Sequence, residues 1–438
     1  MPQHPEHSLA KLLMPLALLA CSPPQDHVAP STEALAKAAL PLADHGPLLQ
    51  AIGDARFVIM GEMTHGTHEF YLERARLTER LVRDRGFGAV VIEGDQPAAE
   101  RVNRYVRGLG ADRSAAQALQ AFTNFPRWMW RNAEFSNLVE RLRTHNQALP
   151  PERRVGVYGM DVYNLSGAID AVIAYLERNG SAAQARAQYR CFAPYRADPH
   201  RYGAAARRRS CRAAAEAVLT SVRGLPRPAE PVAAEARFSA IGSAATVAGA
   251  EEYFRELYSG TSAWNARDRR MTSTVEEIAE HVGALAGPPG RVVVWAHNSH
   301  VGDARATDAA DRGEINLGQV LRERHGPAAF LLGFLTYTGS VIAAEQWDAP
   351  ERVRTLRPAL PGSDAARLHE AGVAEGLLLL RARHPAASLL EGRRPQRAVG
   401  VIYQPHTERQ SHYFHADLRR QFDAVIHIDR TRALTPLR

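Results

Sequence analysis

The feature that most constrains the fold of this 438-residue sequence is a set of four short apolar runs, each ending in ionisable side chains. Phe57-Val58-Ile59-Met60 stops at Gly61-Glu62, and Ala89-Val90-Val91-Ile92 stops at Glu93-Gly94-Asp95. The run from Val155 to Met160 stops at Asp161, and Val292-Val293-Val294-Trp295-Ala296 stops at His297-Asn298-Ser299-His300. Runs of this length, rich in β-branched residues, read as buried strands. In open α/β sheets, ligands bind beyond the carboxyl ends of the strands. The four runs therefore deliver acidic and histidine side chains to one edge, where a polar site is expected.

The first run leads into Gly61-Glu62-Met63-Thr64-His65-Gly66-Thr67-His68-Glu69-Phe70, which reads as strand, tight turn and helix. Gly61 and Gly66 allow the turn, and Thr64 or Thr67 is expected to cap a helix over 67–85 that ends at Arg85-Gly86. Arg74 falls on the apolar stripe of that helix with Phe70, Leu77 and Leu81. A buried guanidinium without a partner costs several kilocalories, and Glu62 and His65 lie just upstream to supply one.

The remaining chain predicts an α/β fold: a mostly parallel sheet with flanking helices and an inserted α-helical module. Residues 1–30 read as a leader, 31–165 and 287–438 as the two parts of the α/β core, and 166–286 as the helical insertion. Short helices are expected over 33–40 and 47–52, and longer ones over 96–109, 133–148 and 316–325. Further strands are expected at 330–335, 341–344, 376–380, 399–403 and 425–428. In the insertion alanine dominates, broken at Gly180, at a loop from Phe192 to Gly203 and at Gly224-Leu225-Pro226-Arg227-Pro228. Asp268 and its neighbouring arginines read as surface ion pairs. The polar stretch 302–313 reads as a mobile loop over the site. The aromatic cluster from Phe122 to Trp130 reads first as core, and its place between two strands also makes it a pocket wall.

A hydrophobic fraction of 45% supports a sizeable core, and the formal charge of +7 rests almost wholly on arginine, since Lys11 and Lys37 are the lysines. The densest basic run, Arg207-Arg208-Arg209 with Arg212, reads as a solvated helix face, so no nucleic-acid partner is expected. No apolar run reaches membrane-spanning length. Leu18-Leu19-Ala20-Cys21 resembles a lipoprotein cleavage site, but Glu6 and Pro15 interrupt the pattern. A cytoplasmic protein is the expectation, with a lipoprotein anchored at Cys21 as the alternative. Cys191 and Cys211 can pair or remain thiols, and no zinc spacing is present.

The motifs Gly61-Glu62 to Phe70 with Arg74, then Glu93-Gly94-Asp95, then Ala296 to His300, and finally Ser411-His412-Tyr413-Phe414 together resemble the erythromycin esterase family, in order and spacing, from about residue 40 onward. The resemblance implies that His65 is the general base activating water, with Glu62, Arg74, Glu93, His297 and His300 as the surrounding polar shell. The implied substrate is a small-molecule ester or lactone, with a macrolide macrolactone among the options. No cofactor and no metal ligand are implied.

The same chemistry follows from the residue types. Ester hydrolysis needs a base near neutral pH, a stabiliser for the oxyanion and a proton for the leaving alcohol. Histidine suits the first task, a glutamate can fix its tautomer, and arginine or a second histidine suits the second. There is no Gly-x-Ser-x-Gly elbow, so water is preferred as nucleophile over an acyl-serine. His68, Asp95, Asp161, His412 and Tyr413 are the candidate substrate-binding residues. Two rival readings stay open: a metal-dependent hydrolase, because two glutamates and three histidines suit zinc, manganese or iron, and a haem- or metal-binding protein without catalysis. Each residue also has a bland role, since a histidine after a strand is commonly a hydrogen-bonded structural group and Glu69 can serve the helix dipole alone.

Overall fold

The computed structural model describes residues 32–179, 182–257, 263–381 and 384–437. The expected leader and Cys21 lie outside them. Among the described residues the strands are β1 Phe57–Met60, β2 Ala89–Asp95, β3 Gly156–Asp161, β4 Val292–Trp295, β5 Ala329–Leu335, β6 Thr338–Ala343, β7 Arg352–Leu356, β8 Glu375–Leu379, β9 Arg393–Arg397, β10 Tyr413–Asp417, β11 Ala424–Ile428 and β12 Arg430–Thr431. Seven of them form the central sheet in the order β3-β2-β4-β1-β5-β11-β8. Every neighbouring pair in it is parallel except β11 with β8. Parallel strands need crossover helices that cover both faces, so their side chains are buried throughout, and β1 to β5 carry the near-continuous apolar runs this demands.

The strand order positions the site. After β1 the chain runs outward through β2 and β3, then β4 returns to insert between β1 and β2. His297 to His300 therefore emerge between Glu62-Met63-Thr64-His65 on one side and Glu93 on the other. The approach of the two segments is close. Asn298 N–H donates to the Glu62 carbonyl at 2.8 Å, and a Cβ at Gly61 would lie 2.0 Å from Asn298 Oδ1.

Between β3 and β4 the chain forms helices Leu165–Arg178, Ala182–Tyr189, His200–Ala206, Arg212–Arg223, Pro231–Glu256 and Ala263–Ala286. The first five share an apolar cluster of their own, built on Leu165, Ile169, Val172, Phe192, Val218 and Phe254. Cys191 and Cys211 are disulfide-bonded within it. The expected loop at 192–203 holds a 3-10 segment, Arg190–Tyr195, and the start of helix His200–Ala206, because Phe192 and Tyr202 are buried and order it. No helix of the described residues is long and apolar enough to cross a membrane.

Three other expectations are corrected. Residues 399–403 form isolated bridges to Thr64 and Ala344 rather than a strand. The strand of this region is β9, which pairs antiparallel with β10 outside the main sheet. The stretch 302–313 is not a loop over the site. It is packed by 3-10 turns Ala304–Ala306 and Ala310–Arg312, with Asp303, Ala304, Ala306 and Thr307 buried. Thr67 occupies the N-cap of helix His68–Arg85, but its hydroxyl bonds to Thr64 instead of accepting a helix N–H.

Candidate active site

A cavity of about 320 Å³ opens at the carboxyl ends of β1 to β4. His65, Glu93, Asp95, Asp161, His297 and His300 line it, together with Arg267, Ser299 and the aromatic residues Phe122, Phe125, Trp130, Tyr163, Trp264 and Trp347. Six of the candidate residues thus converge from four strands.

Glu62 and Arg74 stand behind His65. Nδ1–H of His65 donates to Glu62 Oε1 at 2.9 Å, and Arg74 Nη2 donates to Glu62 Oε2 at 3.0 Å. All three are buried. The Arg74 guanidinium lies over the rings of Tyr71 and Trp295, at 4.4 and 4.5 Å from their centroids. Arg74 can therefore sit on the apolar stripe because a carboxylate and two aromatic faces meet its charge. With Nδ1 committed to Glu62, Nε2 is the nitrogen His65 offers to the cavity, and the hydrogen bond fixes that tautomer.

The other two histidines are held in opposite states. His297 Nε2–H donates to the Met63 carbonyl at 3.0 Å, while Nδ1 accepts from Ser299 N–H at 3.2 Å and lies 2.8 Å from Ser299 Oγ. Burial, reinforced by His65 nearby, pushes its pKa down to about 3, so it is neutral. His300 sits between two carboxylates, with Nδ1 2.9 Å from Asp268 Oδ1 and Nε2 3.3 Å from Glu93 Oε1. Burial and the Arg267 guanidinium, whose Nη1 lies 3.0 Å from His300 Nε2, oppose its charge, but Asp268 and Glu93 outweigh them and hold the pKa up at about 9. Burial likewise opposes ionisation of Glu93, and the positive charge of His300 and Arg267 overcomes it and keeps that carboxyl well below the usual range.

Arg267 ties this half together. Its Nε and Nη2 donate to Asp161 at 2.9 and 2.7 Å, and Nη2 also donates to Glu93 Oε1 at 2.8 Å. Asp268 is fully buried and also accepts from Leu317 N–H. Trp264 stacks on His300 with centroids 4.3 Å apart. The expectation of surface ion pairs at Asp268 is therefore overturned. Trp264, Arg267, Asp268 and Met271 recur at positions i, i+3, i+4 and i+7 of helix Ala263–Ala286, so they share the face turned to the sheet edge. That spacing was the available signal, and it is the argument that placed Arg74.

His68, His412 and Tyr413 are not brought to the cavity. His68 Nδ1 bonds Glu134 at 2.6 Å. His412 accepts from Gln404 N–H at 3.4 Å. Tyr413 Oη accepts from Leu360 N–H and Arg397 Nε. The nearby segment contributes Ala398, Gly400 and Val401 to the wall instead. The cluster 122–130 divides: Trp128 is core, whereas Phe122, Phe125, Met129 and Trp130 face the cavity. Among the described residues no three His, Cys, Asp or Glu side chains are grouped to hold a metal ion.

Fold and site together define an α/β protein whose parallel sheet presents a carboxylate-tethered histidine to an aromatic-lined cavity. The family model described as erythromycin esterase matches residues 82–431, and the chain belongs to that family of esterase-type hydrolases. The matched span holds Glu93, Asp161, Arg267, Asp268, His297 and His300, while Glu62, His65 and Arg74 precede it. An erythromycin esterase type II of Escherichia coli is 28% identical over 119 residues, which make up 27% of this chain and 26% of that protein. The chain thus aligns with about a quarter of that relative's length. A solved succinoglycan biosynthesis protein superposes with a TM-score of 0.74 at 20% identity, covering 93% of this chain and 98% of that one. A mutant of the erythromycin esterase EreC in its open conformation superposes with a TM-score of 0.58 at 18% identity, covering 92% and 97%. At these identities the two structures speak for the fold.

Proposed function

We propose that this protein hydrolyses a small-molecule ester or lactone by general-base activation of water at His65, a macrolactone being the first substrate to test. His65 Nε2 takes a proton from water as the oxygen attacks the carbonyl carbon, and the resulting imidazolium returns it to the leaving alkoxide. Glu62 stabilises that imidazolium through Nδ1, and Arg74 holds Glu62 in place. Arg267 and His300, each already paired with carboxylates, are the cavity-lining cations whose hydrogen-bonding N–H groups can shift toward the tetrahedral oxyanion as its charge develops. The observation that carries this reading is the division of labour among the histidines. His297 has both ring nitrogens committed to Met63 and Ser299, and His300 has both facing protein groups, whereas His65 keeps Nε2 for the cavity. Ser299 Oγ lies 2.8 Å from His297 Nδ1, but with a pKa held down at about 3 that histidine is a poor base for a serine nucleophile, so water at His65 is preferred.

The test is hydrolysis of a panel of macrolides, simple lactones and activated esters by wild type and His65→Ala, each with and without chelator. Positioned general bases contribute about 10²–10⁴-fold, so the variant is expected to lose at least roughly a hundredfold in kcat while keeping its circular dichroism. Chelator is expected to change nothing. Activity of His65→Ala within a few fold of wild type would overturn the assignment, and loss to chelator in wild type would replace it with the metal-dependent reading.

A further inference from the structure

We propose that the outer part of the cavity is a subsite for an ammonium group on the substrate, a protonated amine or quaternary nitrogen, formed by Asp95 and the rings of Phe125, Tyr163 and Trp347. The word substrate rests on the esterase reading above, whereas the subsite rests on its own geometry. Asp95 ends β2 and faces the cavity. Its Oδ2 accepts from Asn124 Nδ2 at 2.8 Å, and among the described residues it has no ion-pair partner. Burial, with Asp161 nearby, pushes its pKa up to about 6, the behaviour of a carboxylate that lacks a counter-charge.

Three rings from separate segments meet on the same wall. The centroid of Trp347 is 4.9 Å from that of Phe125 and 6.3 Å from that of Tyr163. Trp347 is 46% exposed, an unusual expense of apolar area at the rim of a polar site. Aromatic faces are electron-rich, so rings lining one cavity with an uncompensated carboxylate, which Asn124 next to Phe125 hydrogen-bonds, select a group that is both positively charged and apolar at its surface. A neutral alkyl group would satisfy the rings but would strip water from Asp95 without replacing it. An anion would meet repulsion from Asp95 itself.

The cations already present leave room for one more. Arg267 lies over Tyr163, 4.8 Å from its centroid, and is neutralised by Asp161 and Glu93. His300 is neutralised by Asp268 and Glu93. The inner wall thus sets three carboxylates against two cations and presents no positive surplus to an incoming ammonium. Arg127, the other cation of the wall, is exposed to water, where its charge is screened.

The test compares two esters of one acid, that of choline and that of 3,3-dimethylbutanol, which share a shape and differ in charge. The choline ester is expected to have a kcat/KM roughly tenfold higher, with the preference collapsing toward one in Asp95→Asn and falling in Trp347→Ala. Equal kcat/KM in wild type, or a preference that survives Asp95→Asn, would overturn the subsite. Calorimetric titration with tetramethylammonium chloride, against sodium chloride as blank, reads the subsite without turnover. Saturable binding that Asp95→Asn abolishes supports it, and heat no greater than the blank overturns it. Binding without hydrolysis of either ester would sink the esterase reading on these substrates and leave the subsite standing.

Discussion

At the scale of residues, His297 and His300 stand three positions apart and are driven to opposite protonation states. This makes the stability of the fold depend on pH in two directions. His297 has its folded pKa depressed from 6.5 to about 3, so the unfolded chain takes up a proton that the folded one refuses. Its contribution is present above about pH 6.5 and is lost as pH falls toward 3. His300 has its folded pKa raised from 6.5 to about 9, so its contribution is full below about pH 6.5 and is lost as pH rises through 9. At 1.36 kcal/mol per unit, the alkaline loss is about 3 kcal/mol. Urea unfolding across pH 4–10 is expected to give maximal stability near pH 6–7. The acid limb begins well above the range in which Glu93 can contribute, because that carboxyl is held low and its unfolded counterpart titrates near 4.5. Asp268→Asn is expected to flatten the alkaline limb and His297→Gln the upper part of the acid limb. Limbs unchanged in both variants would show that other groups set the profile.

At the scale of elements, the turn after β1 shows how one glycine sets the reach of His65. Gly66 has φ of 73°, and a Cβ there would lie 2.2 Å from the Ile342 carbonyl oxygen. Gly86, at the end of helix His68–Arg85, has φ of 68° and open space around it. An L residue at either position would carry the cost of left-handed backbone, about 1–2 kcal/mol, but only at position 66 would it meet a clash in addition. Gly86→Ala is expected to destabilise by about 1 kcal/mol, and Gly66→Ala by about 3 kcal/mol or more with impaired hydrolysis. Equal costs in chemical denaturation would deny the crossing of β6 over the turn. The strand-turn-helix unit, the four strand ends and the partner of Arg74 were legible in the sequence because burial of a parallel strand or an amphipathic helix imposes a period. The contribution of helix Ala263–Ala286 followed the same period, but its stripe carries Arg267 and Asp268, and charges 32 to 174 residues from their partners in sequence look like surface pairs. The ribbon β9–β10 was hidden for a different reason. Outside the main sheet it buries little apolar surface, so Arg393–Arg397 is polar, while the buried Val399 and Tyr403 imitate a strand without pairing as one.

At the scale of the whole molecule, the last described residues close the site from behind. Leu434 N–H donates to the Gly66 carbonyl and His68 N–H to the Arg432 carbonyl. Ala133 N–H donates to Thr435 and Leu437 N–H to Arg131, so one extended segment stitches the turn after β1 to the start of helix Ala133–Gln147. Glu134 accepts from Thr435 N–H and bonds His68, which explains why a histidine of the opening motif points away from the cavity. Leu434 is buried, and its removal would open the core beneath Gly66. The backbone partners matter more than the ion pair of Arg432 with Glu69, because that arginine is 74% exposed and its charge is screened. Ending the chain after Thr431 is expected to lower stability by about 3–5 kcal/mol, the range for one buried leucine and several orphaned backbone groups, and to reduce turnover by loosening His65. Arg432→Ala is expected to change stability by less than about 0.5 kcal/mol. Thermal and urea unfolding of the two proteins decide between strap and ornament: similar small losses in both would mean that the turn holds His65 without help from the far end of the chain.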